Sequence, residues 1–281
     1  MLNSLANVCS IIDFHLTERI FIDCFDLSHM EKISFDSERR LGGIARLYGD
    51  TVLQRFQAAH IAVVGLGGVG SWAVEALARS GIGHLTLIDL DNVAESNINR
   101  QLHATTDNIG KPKTTAMKER ILQIQPQCQV IEIEDFVDEN NLTDIFSHSF
   151  DFVIDAIDQV KIKAAMADYF IKNNQAFIVS GGAGGQRLPE KIRYADLATV
   201  RNDKLLANMR YTLRKRYGFA RNAKMAVPCV YSEEQIIPPQ TPCDTAPQGL
   251  SCAGYGAVMT VTATFGLFLA NAALEYVAKG K

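Results

Sequence analysis

From residue 60 onward, short apolar runs alternate with longer amphipathic stretches along the chain. The short runs are typical of buried strands, and the longer stretches carry apolar residues at helical spacing. This alternation predicts βα units and an α/β fold with a Rossmann-like, doubly wound, mostly parallel sheet. The predicted strands span residues 60–65, 85–89, 130–134, 152–155 and 176–180, and the predicted helices span 70–80, 113–124 and 161–173.

The rest of the chain does not follow this rhythm. Residues 1–29 carry four acidic side chains and no basic start, so they do not resemble a signal peptide, and we interpret them as an extension peripheral to function. Residues 30–59 are predicted to be a helical segment. After residue 185 the alternation stops, and we expect 186–281 to be a less regular region that ends in an apolar helix.

An uncharged stretch runs from residue 245 to 274, and its part from 257 to 274 is long enough to cross a bilayer as a helix. Three threonines, Asn271 and a glycine interrupt this part, as is common where a helix packs against protein. We therefore predict a helix buried against the sheet or a partner subunit, and a cytoplasmic protein. Membrane association is the alternative.

The overall charge excludes a polycation, because 28 Lys and Arg stand against 31 Asp and Glu for a net charge of −3. Between Arg201 and Lys224, however, eight basic residues accompany a single acid. Such a stretch favours contact with nucleic-acid phosphates, and an ordinary solvated helix is the alternative. The candidate contacts are Arg210, Arg214, Lys215 and Arg216.

The six cysteines are scattered and never form a Cys-x-x-Cys pair. This pattern favours free thiols in a reducing compartment and argues against a structural zinc site. Cys229, Cys243 and Cys252 lie in the irregular region, where a thioester-forming or persulfide-accepting role stays open.

The first predicted strand leads into Gly65-Leu-Gly-Gly-Val-Gly70, which opens a helix. Glycines at such a turn let backbone N–H groups approach a phosphate at the positive end of the helix. Asp89 ends the next predicted strand, where its carboxylate is placed to accept hydrogen bonds from ribose hydroxyls. By themselves these residues predict a nucleotide site, and they suit a nicotinamide dehydrogenase equally well.

Charged residues beyond this site separate the two interpretations. A reaction that releases pyrophosphate needs cations over the phosphates, whereas hydride transfer does not. Arg100 and Lys113 follow the second predicted strand, and Asp158 follows the fourth, where it could hold Mg²⁺. A non-catalytic, nucleotide-sensing protein would have no reason to keep all three.

At these residues the chain resembles the ubiquitin-activating-enzyme superfamily, the adenylating fold shared with the molybdopterin- and thiamine-pathway activating enzymes. The resemblance implies that residues 60–185 form an ATP-binding adenylation domain and that 186–281 bind substrate and dimerise. It also implies that Asp89 binds ribose, that Arg100 contacts the triphosphate, and that Lys113 bridges phosphates. The implied site as a whole comprises Gly65, Gly67, Gly68, Gly70, Asp89, Asp91, Asn97, Arg100, Gln101, Lys113 and Asp158, with Asp158 positioning magnesium.

Within this superfamily, the segments from Arg40 to Gly49, from Gly68 to Gly83, from Val179 to Gln186 and from Met259 to Gly266 are similar to the tRNA threonylcarbamoyladenosine dehydratases. That resemblance implies ATP-dependent cyclisation of the modified adenosine at position 37 of tRNA. A sulfur-carrier or ubiquitin-like activator is the alternative, although the zinc pairs found in many of those enzymes are missing.

The same resemblance implies partners beyond the tRNA substrate. Members of the superfamily form homodimers in which an arginine from the opposing protomer completes the site, and here Arg39, Arg40 and Arg46 are the candidates. A cysteine desulfurase with its sulfur acceptor is a further partner that similar proteins suggest.

Overall fold

The computed structural model describes residues 36–238 and 255–280, and in them seven strands form a single sheet. The strands are β1 (His60–Val64), β2 (His84–Ile88), β3 (Gln129–Ile133), β4 (Phe152–Asp155), β5 (Phe177–Ser180), β6 (Ile192–Asp196) and β7 (Pro228–Ser232). Their order is β3-β2-β1-β4-β5-β7-β6. Neighbouring strands are parallel except for β6, which pairs antiparallel with β7 at the edge.

Helices cover both faces of the sheet. They are α1 (Ser37–Tyr48), α2 (Asp50–Ala58), α3 (Gly70–Arg79), α4 (Lys113–Ile124), the single-turn α5 (Leu142–Ile145), α6 (Val160–Lys172), α7 (Lys204–Arg216) and α8 (Met259–Ala278). Asp36 and Asp203 cap α1 and α7 by accepting a backbone N–H with the side chain. In the two βα units that start at β1 and β2, the helix begins at the carboxyl edge of the sheet. The first turns of α3 and α4 lie at this edge.

Two apolar cores lie on opposite faces of the sheet because successive strand residues point to opposite sides. In β1, Ile61 and Val63 belong to the core shared with α2, α3, α4 and α8. Ala62 and Val64 belong to the core shared with α5, α6 and α7. All four are at most 1% exposed, so β1 lies at the centre of the fold.

The predicted doubly wound sheet is confirmed, and the region after residue 185 is more regular than we expected. β7 joins the sheet beside β5, and β6 extends it beyond β7. The sheet therefore continues across the position at which the sequence predicts a change of domain.

α8 is the one helix among the described residues whose length and composition would suffice to cross a bilayer. Ten of its 20 residues are buried, and it packs along α3 and across β4 and β5. Gly266 permits this approach, since a Cβ there would lie 2.5 Å from the Val69 carbonyl oxygen. The predicted burial of this helix against the sheet is confirmed.

A charged brace joins α3 to α4. Glu75 of α3 accepts hydrogen bonds from Arg120 of α4, at 2.7 Å from Nε and 2.8 Å from Nη2, and a third from Arg79. Burial opposes ionisation of Glu75, but these guanidinium contacts outweigh it and lower its pKa. The carboxylate thus stays charged and holds the two helices in register.

Candidate active site

A cavity of about 470 Å³ opens at the carboxyl edge of the sheet, where β1 lies between β2 and β4. Ligands of doubly wound folds bind in this crevice, because the connection from β1 leads to β2 on one side and the connection from β3 leads to β4 on the other. Nearly all of the residues predicted for the site line the cavity. They are Gly65, Gly67, Gly68, Asp89, Asp91, Asn97, Arg100, Gln101, Lys113 and Asp158.

The remaining predicted residue, Gly70, has a different task. A Cβ at Gly70 would overlap the carbonyl oxygen of Gly65, so only glycine lets α3 start this close to the loop. Gly65 itself adopts a φ of 87°, which favours glycine. At Gly67 an added Cβ would meet nothing within 4 Å. Gly70 therefore packs the start of α3 against the loop, while the cavity opens at the glycines before it, and contact of Gly70 with a nucleotide stays a prediction.

Asp89 is fixed at the cavity wall by the backbone around it. Its Oδ2 accepts the Leu66 N–H at 2.6 Å, and its Oδ1 accepts the Asp91 N–H at 2.9 Å. Burial raises the pKa of Asp89, while nearby Lys113 and the two N–H groups act in the opposite direction. The carboxylate is held where a ribose would lie in a nucleotide bound across residues 65–70, the glycine loop.

Lys113 begins α4 and is 5% exposed, with its amino group at the cavity. Nζ lies 2.7 Å from Asp91 Oδ2 and 3.8 Å from Asp89 Oδ1. Burial and this nearby cation lower the pKa of His103 to about 4, so the histidine is neutral near pH 7. The two carboxylates fix the position of one buried positive charge.

Arg100 is anchored through its backbone as well as its side chain. Trp72 Nε1 of α3 donates to the Arg100 carbonyl oxygen at 2.9 Å, a contact that the sequence does not predict. The side-chain Nη1 of Arg100 donates to Ser96 O at 2.6 Å and to Asn99 Oδ1 at 2.9 Å. Asn97 lines the cavity too, but its Oδ1 accepts the N–H of Ala94 and so closes its own turn.

A buried ion pair supports the turn that carries Asp158. Lys163 and Asp155 have side chains that are 0% and 1% exposed, and Lys163 Nζ lies 2.8 Å from Asp155 Oδ1. The same amino group donates to Ile157 O at 2.9 Å. Lys163 therefore ties the end of β4 to the residues just before Asp158. Sequence reasoning missed this lysine, whose one signal is its position within an apolar helix face.

The far side of the cavity, over β5 and β7, is lined by residues that the sequence did not single out. Asp203 accepts N–H groups from Gly182 and Leu206, each at 2.9 Å, and so joins the glycine-rich turn after β5 to the start of α7. Lys204 Nζ donates to the hydroxyl of Tyr255 at 2.9 Å. An N-cap signal at Asp203, just before an apolar-periodic stretch, could have located the start of this helix.

The predicted nucleic-acid contacts separate into two pairs. Arg210 donates to the carbonyl oxygens of Leu197 and Val200, both at 2.9 Å, and Arg214 donates to Arg221 O at 2.8 Å. These two guanidinium groups hold local backbone together, and contact of all four residues with tRNA stays a prediction. The other two are exposed, with Lys215 over the Tyr211 ring and Arg216 paired with Glu139.

The arginine candidates for a shared site all lie on α1. Arg40 donates to the carbonyl oxygens of Gln123 and Ile124 at the end of α4. Arg39 lies near Asp36, the cap of the same helix, and Arg46 is exposed.

Of the three cysteines whose roles were open, Cys229 lies in β7 and is 0% exposed, and Cys243 and Cys252 lie outside the described residues. Burial raises the pKa of the Cys229 thiol, so it is an inert core residue. Within residues 36–238 and 255–280, no group of three or more His, Cys, Asp or Glu side chains is arranged to hold a metal ion.

Comparison with known proteins identifies the family. The ThiF family profile matches residues 39–280. A tRNA threonylcarbamoyladenosine dehydratase of Haemophilus influenzae is 47% identical over 249 residues, which cover 87% of this chain and 95% of that protein. The crystal structure of Escherichia coli tRNA N6-threonylcarbamoyladenosine dehydratase in complex with ATP superposes with a TM-score of 0.80 at 44% identity, covering 88% of this chain and 97% of that one. A molybdopterin-synthase adenylyltransferase of H. influenzae is 32% identical over 56% of this chain and 63% of its own length. The chain belongs to the ThiF family.

Proposed function

We propose that this protein is an ATP-dependent dehydratase that cyclises N6-threonylcarbamoyladenosine at position 37 of tRNA. The observation that carries the proposal is the joining of a glycine loop with Arg100, Lys113 and Asp158 around one cavity. Cations over the phosphates are needed when pyrophosphate leaves, and a hydride-transfer enzyme has no use for them. The extent of the likeness to the dehydratases, over most of both chains, selects this substrate among adenylated carboxylates.

The reaction begins with attack of a threonyl carboxylate oxygen on the α-phosphorus of ATP. The bond from the α-phosphorus to the bridging oxygen breaks, and pyrophosphate leaves with that oxygen. Arg100 and Lys113 supply positive charge where negative charge develops on the departing phosphates. Asp89 holds the ribose and so fixes the α-phosphorus relative to the carboxylate.

The acyl-adenylate then cyclises. The ureido group of the same side chain attacks the activated carbonyl, and AMP leaves with a carboxylate oxygen as a proton is released. The nucleoside thereby loses the elements of one water molecule. The attacking group is already tethered beside the carbonyl at high effective concentration, so this step needs no protein nucleophile, which agrees with the burial of Cys229.

The described residues fit a magnesium ion held mainly by the nucleotide. Mg²⁺ is commonly bound through one or two carboxylates together with substrate phosphates, and Asp158 supplies a carboxylate on the cavity wall. When bound, the ion would neutralise phosphate charge. Lys163 and Asp155 keep the turn that bears Asp158 in place.

Further features of the proposal concern partners and location. Exposed Lys215 and Arg216 would dock tRNA phosphates without sequence preference. Homodimerisation through the α8 side would cover large side chains that are 40% to 49% exposed, namely Val258, Met259, Leu267 and Tyr194. A cytoplasmic location suits a tRNA substrate and free thiols. A sulfur-relay partner stays a prediction.

The deciding experiment measures AMP and pyrophosphate release from ATP with tRNA that carries threonylcarbamoyladenosine, followed by mass analysis of the nucleosides. We expect ATP-dependent loss of one water from that nucleoside and none with unmodified tRNA. Asp158→Asn should abolish turnover, whereas Asp144→Asn, at an exposed carboxylate of α5, should not. Nucleotide turnover without the mass change would contradict the substrate, and would direct the search to a protein carboxylate such as a sulfur-carrier tail.

A further inference from the structure

The cavity has two sides with different chemistry. The nucleotide side lies over β1 and β2 and carries the glycine loop, Asp89, Arg100 and Lys113. The other side lies over β5 and β7, and it continues into an adjoining recess of about 480 Å³. Lys204 and Tyr255 line both the cavity and the recess, so they stand where one opens into the other.

Three of the described residues that line the cavity carry a positive charge. Arg100 and Lys113 lie beside the glycine loop, and Lys204 lies on the second side. Lys204 is exposed, and none of the ion pairs among the described residues includes it. The neighbouring Asp203 does not neutralise it, because that carboxylate accepts the N–H groups of Gly182 and Leu206. A positive charge is therefore available to a ligand at the junction.

Tyr255 sets the position of this charge. Its hydroxyl accepts a hydrogen bond from Lys204 Nζ at 2.9 Å, and the amino group lies 5.5 Å from the ring centroid. The ring packs against the turn after β5, where Gly185 donates its N–H to Gly256 O at 2.7 Å and accepts the Ile237 N–H at 2.8 Å. Two loops distant in sequence thus support one lysine.

We propose that Lys204 binds the carboxylate of the acceptor substrate and sets specificity for a carboxylate-bearing nucleoside, a role that rests on the proposed function. An acceptor carboxylate must approach a polyanionic triphosphate, and a cation on the acceptor side offsets that repulsion. The carboxylate enters from the recess, pairs with Lys204 Nζ, and faces the α-phosphorus held on the nucleotide side. Tyr255 is a positioning residue that acts through the lysine.

The test compares affinities for tRNA with and without the threonylcarbamoyl group. Lys204→Met keeps the aliphatic stem and removes the charge, and Lys204→Arg restores it. We expect wild-type protein to prefer the modified tRNA and Lys204→Met to bind it about 10- to 100-fold more weakly, with binding of unmodified tRNA and of ATP unchanged. KM for modified tRNA should rise by a similar factor with kcat much less affected, and Lys204→Arg should recover most of the loss.

Lys215→Met is the matched control, because Lys215 lies over the Tyr211 ring at 5.6 Å on the same helix, about 16 Å farther along it. This change should alter affinity for both tRNAs by the same factor. If Lys204→Met still prefers the modified tRNA as strongly as wild type does, Lys204 does not bind the carboxylate. A wild-type protein that shows the preference but no loss of water would refute the dehydratase function and leave the carboxylate site standing.

Discussion

Replacing Lys163 by Met should leave Asp155 buried without its counter-charge. At 2.8 Å and an effective dielectric constant near 20, the lost attraction is about 6 kcal/mol. The protein avoids the full loss by protonating Asp155. The free energy of that protonation is therefore the upper limit on the destabilisation. Holding an aspartate with an ordinary pKa near 3.9 in the neutral form at pH 7 costs about 4 kcal/mol, and at pH 5 about 1.5 kcal/mol.

The sign of the pH dependence follows from that protonation. In Lys163→Met the folded-state pKa of Asp155 lies above the unfolded value, so the destabilisation is largest at high pH and shrinks as the pH falls toward 3.9. Urea unfolding of wild type and variant at pH 7 and pH 5 measures the difference. The double variant Lys163→Met/Asp155→Asn has no carboxylate at this site, so its free energy of unfolding should lack the pH dependence that Asp155 contributes in Lys163→Met.

A loss that is equal at both pH values in Lys163→Met, or one below about 1 kcal/mol at pH 7, would refute the reasoning. The first result would mean that Asp155 does not titrate in the variant. The second would mean that water or another group replaces the lysine at the end of β4.

Three other changes have defined outcomes. Gly70→Ala should lower thermal stability by an overpacking energy of about 1–3 kcal/mol, because its Cβ would overlap Gly65 O; an unchanged melting temperature would contradict this. Gly67→Ala meets open space, so it should fold normally and weaken ATP binding, which calorimetry measures. The lowered pKa of His103, about 4, means that the unfolded chain binds a proton first as the pH falls. Stability should therefore drop by about 3 kcal/mol between pH 6.5 and 4, and His103→Leu should flatten that part of the curve.

Local patterns predicted the elements around the nucleotide well. α4 and β4 have the bounds expected from sequence, because a proline-bounded amphipathic run and a short apolar run are decided by neighbouring residues. β6 and β7 were missed. In β6, Arg193 and Tyr194 are exposed at the sheet edge, and an edge strand with polar positions lacks the apolar run of a buried one.

The residues of the candidate site also differ in how well the sequence predicts that they lie together. The glycine loop and Asp89 follow their strands directly, and Lys113 begins the helix that comes after β2, so the order of the βα units places them together. Lys204 and Tyr255 are separated by 51 residues, and only the folded chain brings them into contact. The hydrogen bonds of Arg210 were also not predicted, since charge in a sequence does not reveal that a guanidinium binds nearby carbonyl oxygens.

The brace between Glu75 and Arg120 lies away from the cavity, yet it joins the helices whose first residues border the phosphate loop and carry Lys113. The distance between the glycine loop and Lys113 therefore depends on a contact in the middle of the two helices, about two turns from the cavity. Substitution of Glu75 or Arg120 would therefore change the affinity for the nucleotide without changing a residue that lines the cavity. We therefore expect nucleotide affinity to depend partly on these two side chains, although neither lines the cavity.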